Sequence, residues 1–145
     1  MTQTNATSAL GHDLTPPNAE ERARLEADLS QEEREVLLHH GTEAPFCGGL
    51  LNQKKPGTYC CRLCALPLFR AETKFESGTG WPSFFAPIDK DHVRLIEDNS
   101  YGMRRVETLC ARCGSHQGHV FPDGPPPTRL RYCINSVSLA FVADA

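Results

Sequence analysis

The chain has 145 residues, with 39% hydrophobic and 23% charged side chains, 11 glycines, 11 prolines and a mean hydropathy of −0.41. That length suits one loop-rich domain around a single core. A net charge of −3 speaks against a nucleic-acid partner, and no run approaches the roughly 20 apolar residues of a membrane helix, so no membrane partner is expected either.

Residues 1–17 are polar, end in Thr15-Pro16-Pro17 and are expected to form a flexible tail ahead of one domain over 18–145. Within it, 18–41 reads as a helical lead-in. Asn18 with Glu21 is an N-cap pair ahead of Leu25 and Leu29. Ser30 with Glu33 is a capping box ahead of Val36, Leu37 and Leu38, and Gly41 closes the helix. Both helices are short and acidic, which suits packing over a domain edge.

From residue 42 onward, short aromatic and β-branched runs alternate with Gly, Pro and Asp-Asn punctuation: GTYCC, KFESGTGWPSFF, HVRLIEDNSYGMRRVETLC, GHVFPDGPPP and LRYCINSVSLAFV. The expected class is mainly β, with antiparallel sheets and long loops.

Seven cysteines are many for this length, and the number is odd. The N-terminus has neither a basic start nor an apolar stretch. A secreted disulfide scaffold is therefore not expected; metal and thiol chemistry in a reducing compartment, the cytoplasm, is. Cys61-Arg-Leu-Cys64 and Cys110-Ala-Arg-Cys113 are two CxxC knuckles separated by residues 65–109. Each knuckle turns two thiolates toward one centre, and two of them complete a closed tetrahedral site for one structural Zn²⁺. A single CxxC would equally suit a redox pair. Cys60 is a competing ligand with the wrong spacing to Cys64, and Cys110, Cys113, His116 and His119 lack the intervening helix of a Cys₂His₂ finger.

Cys47, Cys60 and Cys133 remain. Alternation through Arg131-Tyr132-Cys133-Ile134-Asn135 puts Arg131, Cys133 and Asn135 on one strand face. The guanidinium is expected to lower the Cys133 thiol pKa and favour the attacking thiolate. His116 and His119 offer protons near neutral pH, and Asp123 is a carboxylate that can orient them. The plain alternative is a buried, inert Cys133 beside solvated loop histidines.

The segments GTEAPFCGGLL, KFESGTGWPSFF, HQGHVFPDGPPPT and RYCINSVSL closely resemble the methionine sulfoxide reductase B family, over about Thr42 to Phe141. The resemblance implies twisted antiparallel sheets of the Mss4-like β-tent or barrel type, clipped by the Cys₄ zinc. It also implies a peptide-methionine (R)-S-oxide reductase active in protein repair under oxidative stress. Cys133 matches the nucleophile, and His116, His119, Asp123, Arg131 and Asn135 match its polar surround. Trp81 matches the aromatic wall of the substrate pocket, with Phe121 near it, although a tryptophan is otherwise most often a core residue.

On this resemblance, Cys133 attacks the sulfoxide sulfur, His116 or His119 supplies the proton, and Cys133 becomes a sulfenic acid. Thr79 stands where many relatives carry a resolving cysteine. Cys47, on a Gly-rich loop, is the expected replacement with Cys60 in reserve, and thioredoxin the expected reductant. Gln117 and Arg129 also depart from the usual pattern, in positions expected to leave the chemistry untouched. The expected partners are oxidised proteins containing methionine-R-sulfoxide, and the expected state is a monomer. Two other classes compete: a non-enzymatic zinc-ribbon-like binding module, and a zinc hydrolase, which four cysteines would close off.

Overall fold

A computed structural model describes residues 7–144. Helices α1 (Ala19–Ala27) and α2 (Gln31–Leu37) begin at the anticipated caps. Asn18 Oδ1 accepts from Glu21 N at 2.8 Å, and Ser30 and Glu33 form a reciprocal capping box. Propensity alone would not hold helices this short. Leu29, Val36 and Leu37 are buried, while Arg22 donates to Cys113 O at 2.6 Å and Arg62 binds Glu33 at 3.0 Å. Both helices are thus fastened over the cysteine knuckles.

Among the described residues nine strands follow: β1 (Gly57–Cys61), β2 (Pro67–Arg70), β3 (Lys74–Phe75), β4 (Ser83–Phe84), β5 (Val93–Asp98), β6 (Arg105–Cys110), β7 (His116–Phe121), β8 (Arg131–Ile134) and β9 (Leu139–Ala143). They form two antiparallel sheets, ordered β2-β1-β9 and β3-β4-β8-β7-β6-β5. The expected β class is present. Only β2 was not anticipated, because Leu66-Pro67-Leu68-Phe69 carries a proline at its start and no alternation; Leu68 and Phe69 are both fully buried.

Aromatic rings join the sheets. Phe69 of β2 stacks on Phe84 of β4 at 4.4 Å between centroids, and Tyr59 of β1 meets the same ring at 5.1 Å. Tyr132 and Ile134 of β8 point into this core, so Arg131, Cys133 and Asn135 share the opposite face. The chain then passes between sheets through a single 3₁₀ turn, Ser136–Ser138.

Residues 1–6 of the expected tail lie outside the described residues. Its described part is docked: Ser8 is buried with Oγ 2.8 Å from His92 Nε2, Ala9 and Leu10 N–H groups donate to Asp91 and Asp89, and Arg112 reaches Thr15 O at 3.0 Å. These polar contacts were invisible locally because their partners lie some 80 residues onward.

Candidate active site

Cys133 is the third residue of β8 and lies between two neighbours, Ser83 on β4 and His119 on β7. Residues opposite one another in an antiparallel ladder share a face, so His119 and Cys133 project together. Gly118 makes this closeness possible: a Cβ there would stand 2.0 Å from Cys133 O. The thiol opens into a pocket of about 100 Å³ whose walls include Trp81, Phe121, His119, Asn135 and Arg105. Five anticipated residues, Cys133, His119, Asn135, Trp81 and Phe121, therefore meet at one place.

The carboxylates are assigned differently from expectation. Asp123 is exposed and forms a bidentate pair with Arg131, Oδ1 to Nε at 2.9 Å and Oδ2 to Nη2 at 3.1 Å. It touches neither histidine, because the chain turns after Phe121 and Asp123 meets Arg131 across the β7–β8 hairpin. His119 Nε2 instead donates to Asp98 Oδ2 at 2.8 Å, and His116 Nδ1 donates to Glu107 Oε2 at 2.6 Å. Hydrogen bonds from His119 and from the Ser100 backbone hold the Asp98 carboxyl well below the usual carboxylate range. Burial pushes the His116 imidazole down, against the pull of Glu107. His116 is buried in a layer behind His119, their rings 5.6 Å apart, and does not line the thiol pocket.

The thiol itself is also corrected. Burial pushes Cys133 above the ordinary thiol value, and Arg131 and the Thr79 hydroxyl only partly offset it. The guanidinium is already committed to Asp123 and lies over the Phe121 ring, 4.4 Å from its centroid.

Glu43 is a further site residue that no sequence motif marks. It is buried, and its carboxylate accepts from Ser136 N at 2.8 Å and Val137 N at 3.0 Å. Its backbone N–H donates to Asn135 Oδ1 at 2.9 Å, and its carbonyl accepts from Trp81 Nε1 at 3.0 Å. One residue thus ties two walls of the pocket to the turn after β8. The only local hint is an acid inside an apolar Gly-Thr-Glu-Ala-Pro-Phe run.

Cys47 is exposed on the loop over 44–50, outside the pocket lining. That loop is pinned to the Trp81 segment by a hydrogen bond from Phe46 N to Gly80 O at 2.7 Å. Cys60 is buried in β1 of the other sheet, its thiol pushed up by burial. Gln117 is fully buried on β7: its Nε2 lies 3.1 Å from Ser115 Oγ and 3.6 Å from Cys61 Sγ. Arg129 is an exposed turn residue with φ 62°.

Cys61, Cys64, Cys110 and Cys113 form one buried cluster with all sulfurs within 4.8 Å of one another. The Cys61–Cys113 and Cys64–Cys110 sulfurs are 3.6 and 3.5 Å apart. Around a tetrahedral ion with metal–sulfur bonds of about 2.3 Å, sulfurs stand about 3.8 Å apart. The cluster fits a closed metal site.

Fold and site together define a β domain with four clustered cysteines at its base that could hold a metal ion, carrying a separate thiol in a small aromatic pocket. A family model described as the SelR domain matches residues 29–143, and the chain belongs to that family. Relatives named peptide methionine sulfoxide reductase MsrB include one from Caulobacter vibrioides, 72% identical over 142 residues, covering 98% of this chain and 89% of that protein. One from Xylella fastidiosa is 62% identical, covering 90% and 84%. One from Methanosarcina mazei is 59% identical, covering 80% and 83%.

Proposed function

We propose that this chain reduces methionine-R-sulfoxide in proteins and peptides, with Cys133 as nucleophile. The pairing of His119 with Cys133 across β7 and β8, inside a pocket walled by Trp81 and Phe121, carries this reading. The Cys133 thiolate attacks the sulfoxide sulfur. The oxygen gains one proton and transfers to the cysteine sulfur, so methionine leaves reduced and Cys133 is oxidised to sulfenic acid. His119 is the proton donor: with Nε2–H held by Asp98, the protonated ring keeps Nδ1–H for the pocket. His116 acts from behind as a positioning residue. Trp81 and Phe121 present apolar surface to the sulfur-bound methyl group, which discriminates between epimers.

Cys47 is the resolving thiol. Its sulfur displaces hydroxide from the sulfenic acid, water leaves, and a Cys47–Cys133 disulfide forms that a dithiol of the thioredoxin class reduces. Cys47 is exposed and its loop borders Gly80, which favours it over buried Cys60. The cysteine cluster holds one structural Zn²⁺, since four thiolates leave no open position for substrate. The reading takes 18–145 as one catalytic domain, acting as a monomer in the cytoplasm, where free thiols persist.

Separate R and S epimers of a blocked methionine sulfoxide, supplied with dithiothreitol, test the reading. Reduction of R alone, lost in Cys133→Ser, is expected. A folded, metal-loaded protein that reduces neither epimer overturns it in favour of a binding module.

A further inference from the structure

One oxygen, Glu107 Oε2, accepts from His40 Nδ1 at 2.5 Å and from His116 Nδ1 at 2.6 Å. The three donor atoms lie within 4.8 Å of one another. Glu107 and His116 are buried, whereas the His40 side chain is 55% exposed, so the cluster is rigid on one side and open on the other. His40 reaches it with φ 59°, in the turn where Gly41 N–H bonds back to Glu35 O at 2.9 Å.

We propose that His40, Glu107 and His116 form a second metal site, for a divalent transition ion of the zinc class, separate from the cysteine cluster. Two imidazoles and one carboxylate with an open side are the donor set such ions take when they keep exchangeable water. Bonds of about 2.0–2.1 Å set donors about 3.3 Å apart, so the rings need to withdraw by less than an ångström each. Exposed His40 is free to do so.

His116 Nε2 is buried and has no hydrogen-bond partner among the described residues. When Nδ1 takes the metal, the ring proton moves from Nδ1 to Nε2, so the ring stays neutral and breaks no second hydrogen bond. The adjoining cavity, bordered by His39 and Asp98, leaves room for the ion's waters. Arg105 borders the same cavity, but its charge is offset by Asp98 at 3.3 Å.

The test titrates the full chain, loaded with one zinc per molecule, with Co²⁺, following calorimetry and visible absorption. The expected result is one further ion per chain, without a sulfur-to-cobalt charge-transfer band. His40→Asn is the variant of choice because asparagine tolerates the left-handed backbone. It should keep the first zinc and an unchanged circular dichroism spectrum yet bind the second ion at least about tenfold more weakly. A single ion per chain, a thiolate band on the second ion, or equal affinity in His40→Asn overturns the site.

Discussion

Asp98 Oδ2 lies 2.8 Å from His119 Nε2, so the ring that faces Cys133 is oriented from the far end of β5 and not from its own hairpin. Asp123, nearer in sequence, serves Arg131 instead. Asp98→Asn should therefore lower turnover about 10- to 100-fold, less than the roughly 100- to 10,000-fold of general acid catalysis because the ring itself remains. Asp123→Asn should cost less than Asp98→Asn. Steady-state kinetics on the R epimer decide it: unchanged turnover in Asp98→Asn would show that orientation from β5 does not matter, and an equal loss in Asp123→Asn would contradict the ranking.

The same carboxylate predicts a stability slope. Its folded pKa is depressed, so the stabilisation it gives is present above the ordinary carboxylate value of about 4 and is lost as pH falls through the folded value. Melting temperatures measured between pH 6 and pH 3 should fall less steeply in Asp98→Asn than in the parent protein.

Burial holds the Cys133 thiol above the ordinary value, and Arg131 restrains that rise. Alkylation of Cys133 by iodoacetamide, followed by peptide mass spectrometry, should accelerate through a midpoint above about pH 8.5, the free-thiol value. In Arg131→Met the midpoint should move further up. A midpoint below that of the free thiol would contradict this account of the site.

Glu43→Gln should destabilise the protein by about 1–3 kcal/mol, because a buried carboxylate that accepts two backbone N–H groups becomes an amide with one acceptor. Loss of the carboxylate's hold on the Ser136–Val137 turn would also shift the Glu43 backbone to which Trp81 and Asn135 bond, so KM should rise as well. Urea unfolding and steady-state kinetics measure the two effects.

Cys47→Ser should leave dithiothreitol-driven turnover intact and abolish turnover driven by thioredoxin. Equal loss with both reductants would remove Cys47 from the resolving role. In Cys64→Ser, by contrast, metal content and cooperative unfolding should be lost together, since structural zinc contributes about 10 kcal/mol or more in small domains.

Local pattern determined a great deal here. The Asn18 and Ser30 caps, the CxxC spacing and the alternation through residues 131–135 are set by neighbours within a turn or two of chain, and each is present in the fold. Burial of Gln117, a polar residue that no local pattern marks as core, follows from its place on β7 beneath α2 and beside the knuckles, a matter of packing.

The partners of the histidines were decided only by tertiary structure. Which carboxylate meets His116 or His119 depends on the register of β5, β6 and β7, and a register shift between Thr108 and Leu109 alters that register midway. The shift brings His116 one residue nearer Glu107, Asp98 meets His119 from the regular part of the ladders, and the hairpin carries Asp123 away to Arg131. Sequence fixes the kinds of group available to the site. Pairing among distant strands fixes which of them touch, because a hydrogen bond is decided within a few tenths of an ångström and no local pattern encodes that distance.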